Sequence, residues 1–169
     1  MSTATLLHSL FKYKAWANQE LFAALQILDP ATQHEQLHAA IRILNHIYVV
    51  DRIFAAHLQG TSHSYNNTNT PATPTLAALY QDVQESDQWY LDYVAQLNAI
   101  QLAETIEFTF IDAQLGRMSR EEILAHIITH GGYHRGAVGR IMSQQGISAP
   151  RDIYTGFLHL SEPERRHHT

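Results

Sequence analysis

Apolar residues recur three and four apart through most of this chain, a period that helices produce and strands do not. From Thr5 to about Leu28 the apolar side reads Leu7, Leu10, Phe11, Ala17, Leu21, Leu25 and Leu28. Asp29-Pro30 breaks that pattern, with Asp as an N-cap and Pro at a first helical position. A second helix is predicted from about Thr32 to Leu58, marked by Leu37, Ile41, Leu44, Tyr48 and Phe54 and stopped by Gly60. The stretch "GTSHSYNNTNTPATPT", Gly60 to Thr75, is polar and rich in Asn, Thr and Pro, and reads as a loop. Thr73-Pro74 opens a third helix that reaches about Leu97. Ser119 opens a fourth, with Glu122 at the capping-box spacing, and Gly146 stops it after Gln145.

Four helices of roughly 20–28 residues are each about 30–42 Å long, the material of a four-helix bundle. The fold class is therefore all-α, with long crossovers between helices two and three and between three and four. "TIEFTF", within Glu104 to Ser119, alternates and is rich in β-branched and aromatic residues. It reads as one arm of a short β-hairpin or as an extended connector. A length of 169 residues suits one domain. Its core would run from about residue 5 to 146, and the tail 147–169 holds one apolar stretch, "DIYTGFLHL", able to pack back on the bundle.

Composition removes several classes of function. The formal net charge is −5 and no basic block occurs beyond Arg165–Arg166, which argues against a nucleic-acid partner. Cysteine is absent, so disulfides, thiolate metal ligands and a cysteine nucleophile are excluded, and a reducing cytoplasm is the expected location. No run of about 18 apolar residues exists to span a membrane. The N-terminus "MSTATLLHSLFKYKAWANQE" meets Lys and polar residues too soon for a signal peptide.

Histidine is the anomaly. Chance placement of 12 histidines in 169 residues gives roughly 0.8 His-x-x-x-His pairs, the false-positive load of so short a motif. The chain has three such pairs: His34/His38, His126/His130 and His130/His134. On a helix this spacing stacks two imidazoles on one side, where both can reach one metal ion. His34 and His38 lie among Gln33, Glu35 and Gln36 and read as a solvated face. His130 and His134 share a stripe with Ile123, Ile127, Ala137 and Ile141. The third ligand is best supplied by His46 in "ILNHIYVVDRIF", flanked by Ile43, Val50 and Ile53. Hydrogen-bonded core histidines are the alternative. His167 and His168, in the closing "ERRHHT", carry no functional weight.

Three neutral histidines leave coordination positions open, the mark of a catalytic rather than a structural site. Nitrogen ligands suit zinc or nickel first, with iron and copper compatible. Asn18 and His126 are the catalytic candidates. His126, one turn before His130, is a proton carrier or a structural residue. Asn18 reaches the pocket or packs helices, and Trp16 reads as core or interface. Glu122 and Asp51 are candidate partners for a ligand's second nitrogen, with a surface role as the alternative. The helix also contains Gly131, Gly132, Gly136 and Gly139, each costing about 0.8–1.0 kcal/mol against Ala. Close helix approach at Gly132 and Gly136, and ligand space at Gly131 beside the histidines, are the expected reasons.

Other site patterns fit poorly. His-Glu-x-x-His needs a glutamate where Ile127 or Gly131 stands. A carboxylate-bridged di-iron bundle needs Glu-x-x-His on two helices, and Glu35/His38 gives one copy. "YKAWANQELF" (Tyr13 to Phe22), "LNHIYVVDRIF" (Leu44 to Phe54) and "AHIITHGGYHRGAVGRIM" (Ala125 to Met142) together resemble the DinB/YfiT-like family of small metal-binding bundles. The resemblance spans roughly Leu6 to Arg151. It implies that His46, His130 and His134 are metal ligands and that the bundle pairs as a homodimer. It further implies a small-molecule substrate, with transfer of a low-molecular-weight thiol or metal-assisted hydrolysis as the reaction. Ala137 stands where the family often has Gln, so no role rests on an amide there. A non-catalytic metal-binding or stress protein, and a helical dimer with structural core histidines, are the competing readings.

Overall fold

A computed structural model describes residues 2–166. His167 and His168 fall outside them. Four long helices form a bundle: α1 (Thr3–Leu25), α2 (His34–Gln59), α3 (Leu76–Ala95) and α5 (Arg120–Gln144). Helix α2 packs on α5 and α3, and α1 packs on α3 and α5. A short α4 (Ala99–Ala103) and a two-stranded antiparallel hairpin, β1 (Thr105–Thr109) and β2 (Leu115–Ser119), connect α3 to α5. The hairpin reading of "TIEFTF" holds, with Phe108 opposite Gly116 and the Phe108 ring buried. Among the described residues no helix is long and apolar enough to cross a membrane.

Local chemistry explains the boundaries, including two that differ from expectation. Ser119 and Glu122 form a reciprocal capping box at the start of α5, and Gly60 and Gly146 adopt the left-handed backbone at φ 66° and 73° that ends α2 and α5 cleanly. Asp29-Pro30, however, does not start α2. The Asp29 carboxylate accepts from the Ala31 N–H and the Thr32 hydroxyl, closing a local turn, and α2 begins four residues later at His34. Thr75, not Thr73, caps α3 by accepting from the Ala78 N–H. Helix α4 was not anticipated; Asn98 and Gln101 form its capping box. The C-terminal stretch forms α6 (Tyr154–Ser161) and a 3₁₀ turn (Pro163–Arg165). Helix α6 packs back on α1 through Phe157 against Tyr13 and Trp16.

The core is in two parts. One cluster gathers Phe11, Phe54, Tyr90, Ile123 and Ile127; the other gathers Leu21, Phe22, Leu44, Leu79, Val138 and Met142. Between them, along α1, α3 and α5, lie the buried polar residues Lys14, Asn18, Ser86, Asp87 and Arg135. The bundle thus carries a polar layer across its middle, and the ligand candidates on α2 and α5 sit at that level.

Candidate metal centre

His46 projects from the middle of α2, and His130 and His134 stand one turn apart on α5. Each offers one ring nitrogen, and the three nitrogens lie within 4.8 Å of one another. His46 Nε2 is 3.1 Å from His130 Nε2. Ring centroids are 5.0 Å apart for His46 and His130, 4.7 Å for His46 and His134, and 4.5 Å for His130 and His134. All three residues are half-buried.

The tautomer of His46 is fixed. Its Nδ1 lies 2.8 Å from the Thr68 carbonyl oxygen, which can only accept, so Nδ1 carries the proton and Nε2 presents a lone pair to the cluster. A carbonyl that orients a ligand imidazole in this way is the usual partner in a metal site. Thr68 belongs to the 60–75 loop, and that loop is strapped to α2. The Asn45 amide donates to the Thr70 hydroxyl at 2.7 Å and also to Asn69 Oδ1. Arg42 donates to the Thr70 carbonyl at 2.7 Å, and the Asn69 amide returns a bond to the Arg42 carbonyl at 3.0 Å.

Electrostatics favour the neutral forms of His130 and His134. Burial, the neighbouring His134, His46 and His126, and the Lys14 charge push His130 down to about 3. Burial and His46 push His134 down as well. Neutral imidazole is the form that binds metal. His130 Nδ1 is buried without a hydrogen-bond partner, so His130 lacks the support His46 has. The donor set fits a divalent transition ion: three imidazole nitrogens converge, one is oriented through its far nitrogen, and no carboxylate is among them.

The remaining candidates fall elsewhere. His34 and His38 are exposed, and His38 meets the Thr73 hydroxyl at 3.0 Å. His126 lies beside the cluster, its ring 5.3 Å from His130 and 5.1 Å from Phe54, and burial lowers its pKa. Neither carboxylate supports a ligand: Glu122 accepts from the Ser119 N–H at 2.7 Å, and Asp51 pairs with Lys14 at 2.7 Å. Asn18 is buried in the polar layer, donating to Asp87 at 2.7 Å and accepting from Arg135 at 3.3 Å. Trp16 packs on Phe157.

That layer is a continuous ionic chain. Lys14 bridges Asp51 and Asp87 at 2.7 and 2.6 Å with every partner buried. Burial opposes the lysine charge, but the two carboxylates outweigh it and raise its pKa. Burial drives the Asp51 carboxyl up, against Lys14, to about 6. Arg135, next to His134, continues the chain to Asp152 at 2.8 Å, and Tyr13 donates to the same carboxylate.

The glycines follow from this layer. A Cβ on Gly131 would lie 3.1 Å from Arg135 Nη1 and 3.6 Å from Lys14 Cε. The space at Gly131 is therefore filled by two cationic side chains, which overturns the expectation of ligand space there. Gly132 and Gly136 do not admit another helix: a Cβ on Gly132 would meet only Arg135, at 3.9 Å, and one on Gly136 would meet no group of another element within 4 Å. Gly139 does permit a close approach: a Cβ there would lie 3.3 Å from the Ala149 Cβ.

Sequence reasoning missed Asn45, Thr68, Lys14, Asp87 and Arg135. Two left a trace. Lys14 falls on the stripe of Leu7, Phe11, Ala17 and Leu21, and Asn45 adjoins Leu44 in the middle of an apolar helix. Thr68 acts through its backbone, which side-chain patterns cannot report.

The model of the DinB family matches residues 1–166. A relative described as Protein DinB, from Bacillus subtilis (strain 168), is 24% identical over 170 residues, covering 92% of this chain and 95% of the relative. No solved structure matches.

Proposed function

The chain belongs to the DinB family, and from that premise we propose that it is a metal-dependent enzyme acting on a small molecule. His46, His130 and His134 hold one divalent transition metal, zinc or nickel first. The observation that carries the reading is the converging Nε2 of His46, turned towards two histidines of another helix by the Thr68 carbonyl. A buried structural histidine needs no such convergence.

A divalent ion held by three nitrogens lowers the pKa of a water or thiol in its open position towards neutrality. The chain's own part is to supply neutral imidazoles, shield one side of the site with the bundle, and hold a base nearby. His126, half-buried beside His130, is that base. In thiol transfer a carbon–sulfur bond forms, the electrophile's leaving group departs with its electron pair, and the thiol proton passes to His126. In hydrolysis water replaces the thiol. The sulfur must come from a cosubstrate, since the chain has no cysteine. The reading places the protein in the cytoplasm as a homodimer.

The test is turnover by zinc- and nickel-loaded protein. One assay supplies a low-molecular-weight thiol with a chromogenic aryl halide, the other a chromogenic ester. Metal-dependent turnover lost in His134→Ala supports the enzyme reading. A loaded protein inert in both assays would favour a metal-binding role without catalysis.

A further inference from the structure

A groove of about 350 Å³ opens between α2, the 60–75 loop and the turn of the hairpin. Val50, Ile53 and Phe54 line it from α2, and Phe110 and Ile111 from the hairpin turn. Its size is that of a small-molecule pocket, and its walls are mostly apolar, with His57, Thr68 and Asp112 the polar exceptions. Thr68, whose carbonyl holds His46, also lines it. Val50 is one helical turn beyond His46. Phe54 lies beside the ring of His126, which is tilted against that of His130. The groove and the histidine cluster therefore share a wall.

The far side of the groove is built rather than incidental. Phe108 stands opposite Gly116, where a Cβ would come within 2.5 Å of the Phe108 ring and 2.8 Å of the Phe110 ring. Glycine at this position lets both rings lie across the hairpin. Phe108 then packs edge-on against Phe54 at 5.5 Å and against Phe110 at 4.9 Å. This fixes the hairpin turn against α2 while leaving Phe110 45% and Ile111 37% exposed.

Resting on the metal-centre reading, we propose that this groove receives the uncharged hydrocarbon part of the substrate while its polar reacting end reaches the three histidines. The substrate class is a small amphiphile with one metal-seeking end and an apolar tail. Val50, Ile53, Phe110 and Ile111 then set specificity by area, and His57, which also lines the groove, stands beside the tail.

The full chain loaded with cobalt(II) tests this, because cobalt absorption reports coordination without any turnover. Ethanethiol, propanethiol, butanethiol and pentanethiol are titrated in turn. Affinity is expected to rise about fourfold per methylene, the factor for burying one CH₂. Phe110→Ala and Ile111→Ser, both at exposed positions, should take up the same cobalt yet flatten the series. Equal affinity along the series in the unmodified chain overturns the groove and leaves the metal centre standing. So does a slope unchanged in both variants. A chain that takes up no cobalt overturns the metal centre, and the groove proposal with it.

Discussion

His46 acts through both of its ring nitrogens. Thr68 fixes one, and the other faces the cluster. Thr68 is in turn held by the straps from Asn45 and Arg42. Asn45→Ala should therefore leave the bundle folded but weaken metal binding about 10-fold or more, the usual effect of losing support behind a ligand; competition against a chelator reads it. Lys14 is the opposite case, a residue of stability. Lys14→Met leaves Asp51 and Asp87 buried without their cation and should cost about 3–5 kcal/mol, read as a lowered urea midpoint. A loss under about 1 kcal/mol would mean that water already reaches the carboxylates. The histidine cluster was legible in the sequence because helical spacing converts directly into side-chain position. Their supports were not, because a loop carbonyl and a lysine partnered from two other helices depend on how the elements meet.

At the scale of the element, α5 carries two of the three clustered histidines and four of the eight glycines. Its start was legible, since a capping box is a local pattern with local partners. Ser119→Ala should cost about 1 kcal/mol, measurable by chemical denaturation. Its glycines were readable as exceptions but not as reasons. Gly131→Ala shows the difference. Helix propensity alone predicts a gain of about 0.8–1.0 kcal/mol. Yet the new Cβ meets Arg135, whose guanidinium is held by Asp152 and Asn18 and cannot easily yield. The variant should be no more stable than the parent. A gain of the full propensity would show that Arg135 gives way freely. The start of α2 was misread because Asp29 has two local uses, cap and turn, and the turn won. Helix α4 lies below the length at which periodicity can be counted.

The whole molecule brings together what the sequence holds apart: His46 and His130 are 84 residues from each other. That convergence makes folding depend on pH. The unfolded chain protonates His130 near its ordinary value of about 6.5, whereas the fold resists until about 3. Between those values the unfolded state binds the extra proton, so the contribution of His130 to the stability of the metal-free protein falls as pH drops from about 6.5 towards 3, while Asp51, raised to about 6, contributes with the opposite sign. From pH 7 to 5.5 and 4.5, the urea midpoint of the parent chain should fall relative to that of His130→Gln. An identical decline in the variant would remove His130 as a cause. The central claim is that three histidines on two helices hold one metal. The direct measurement is elemental analysis of the untagged chain beside His46→Ala, His130→Ala and His134→Ala. About one transition metal per chain, lost in each variant with the helical signal intact, is the predicted result. No metal in the parent chain, or metal retained in all three variants, would contradict it.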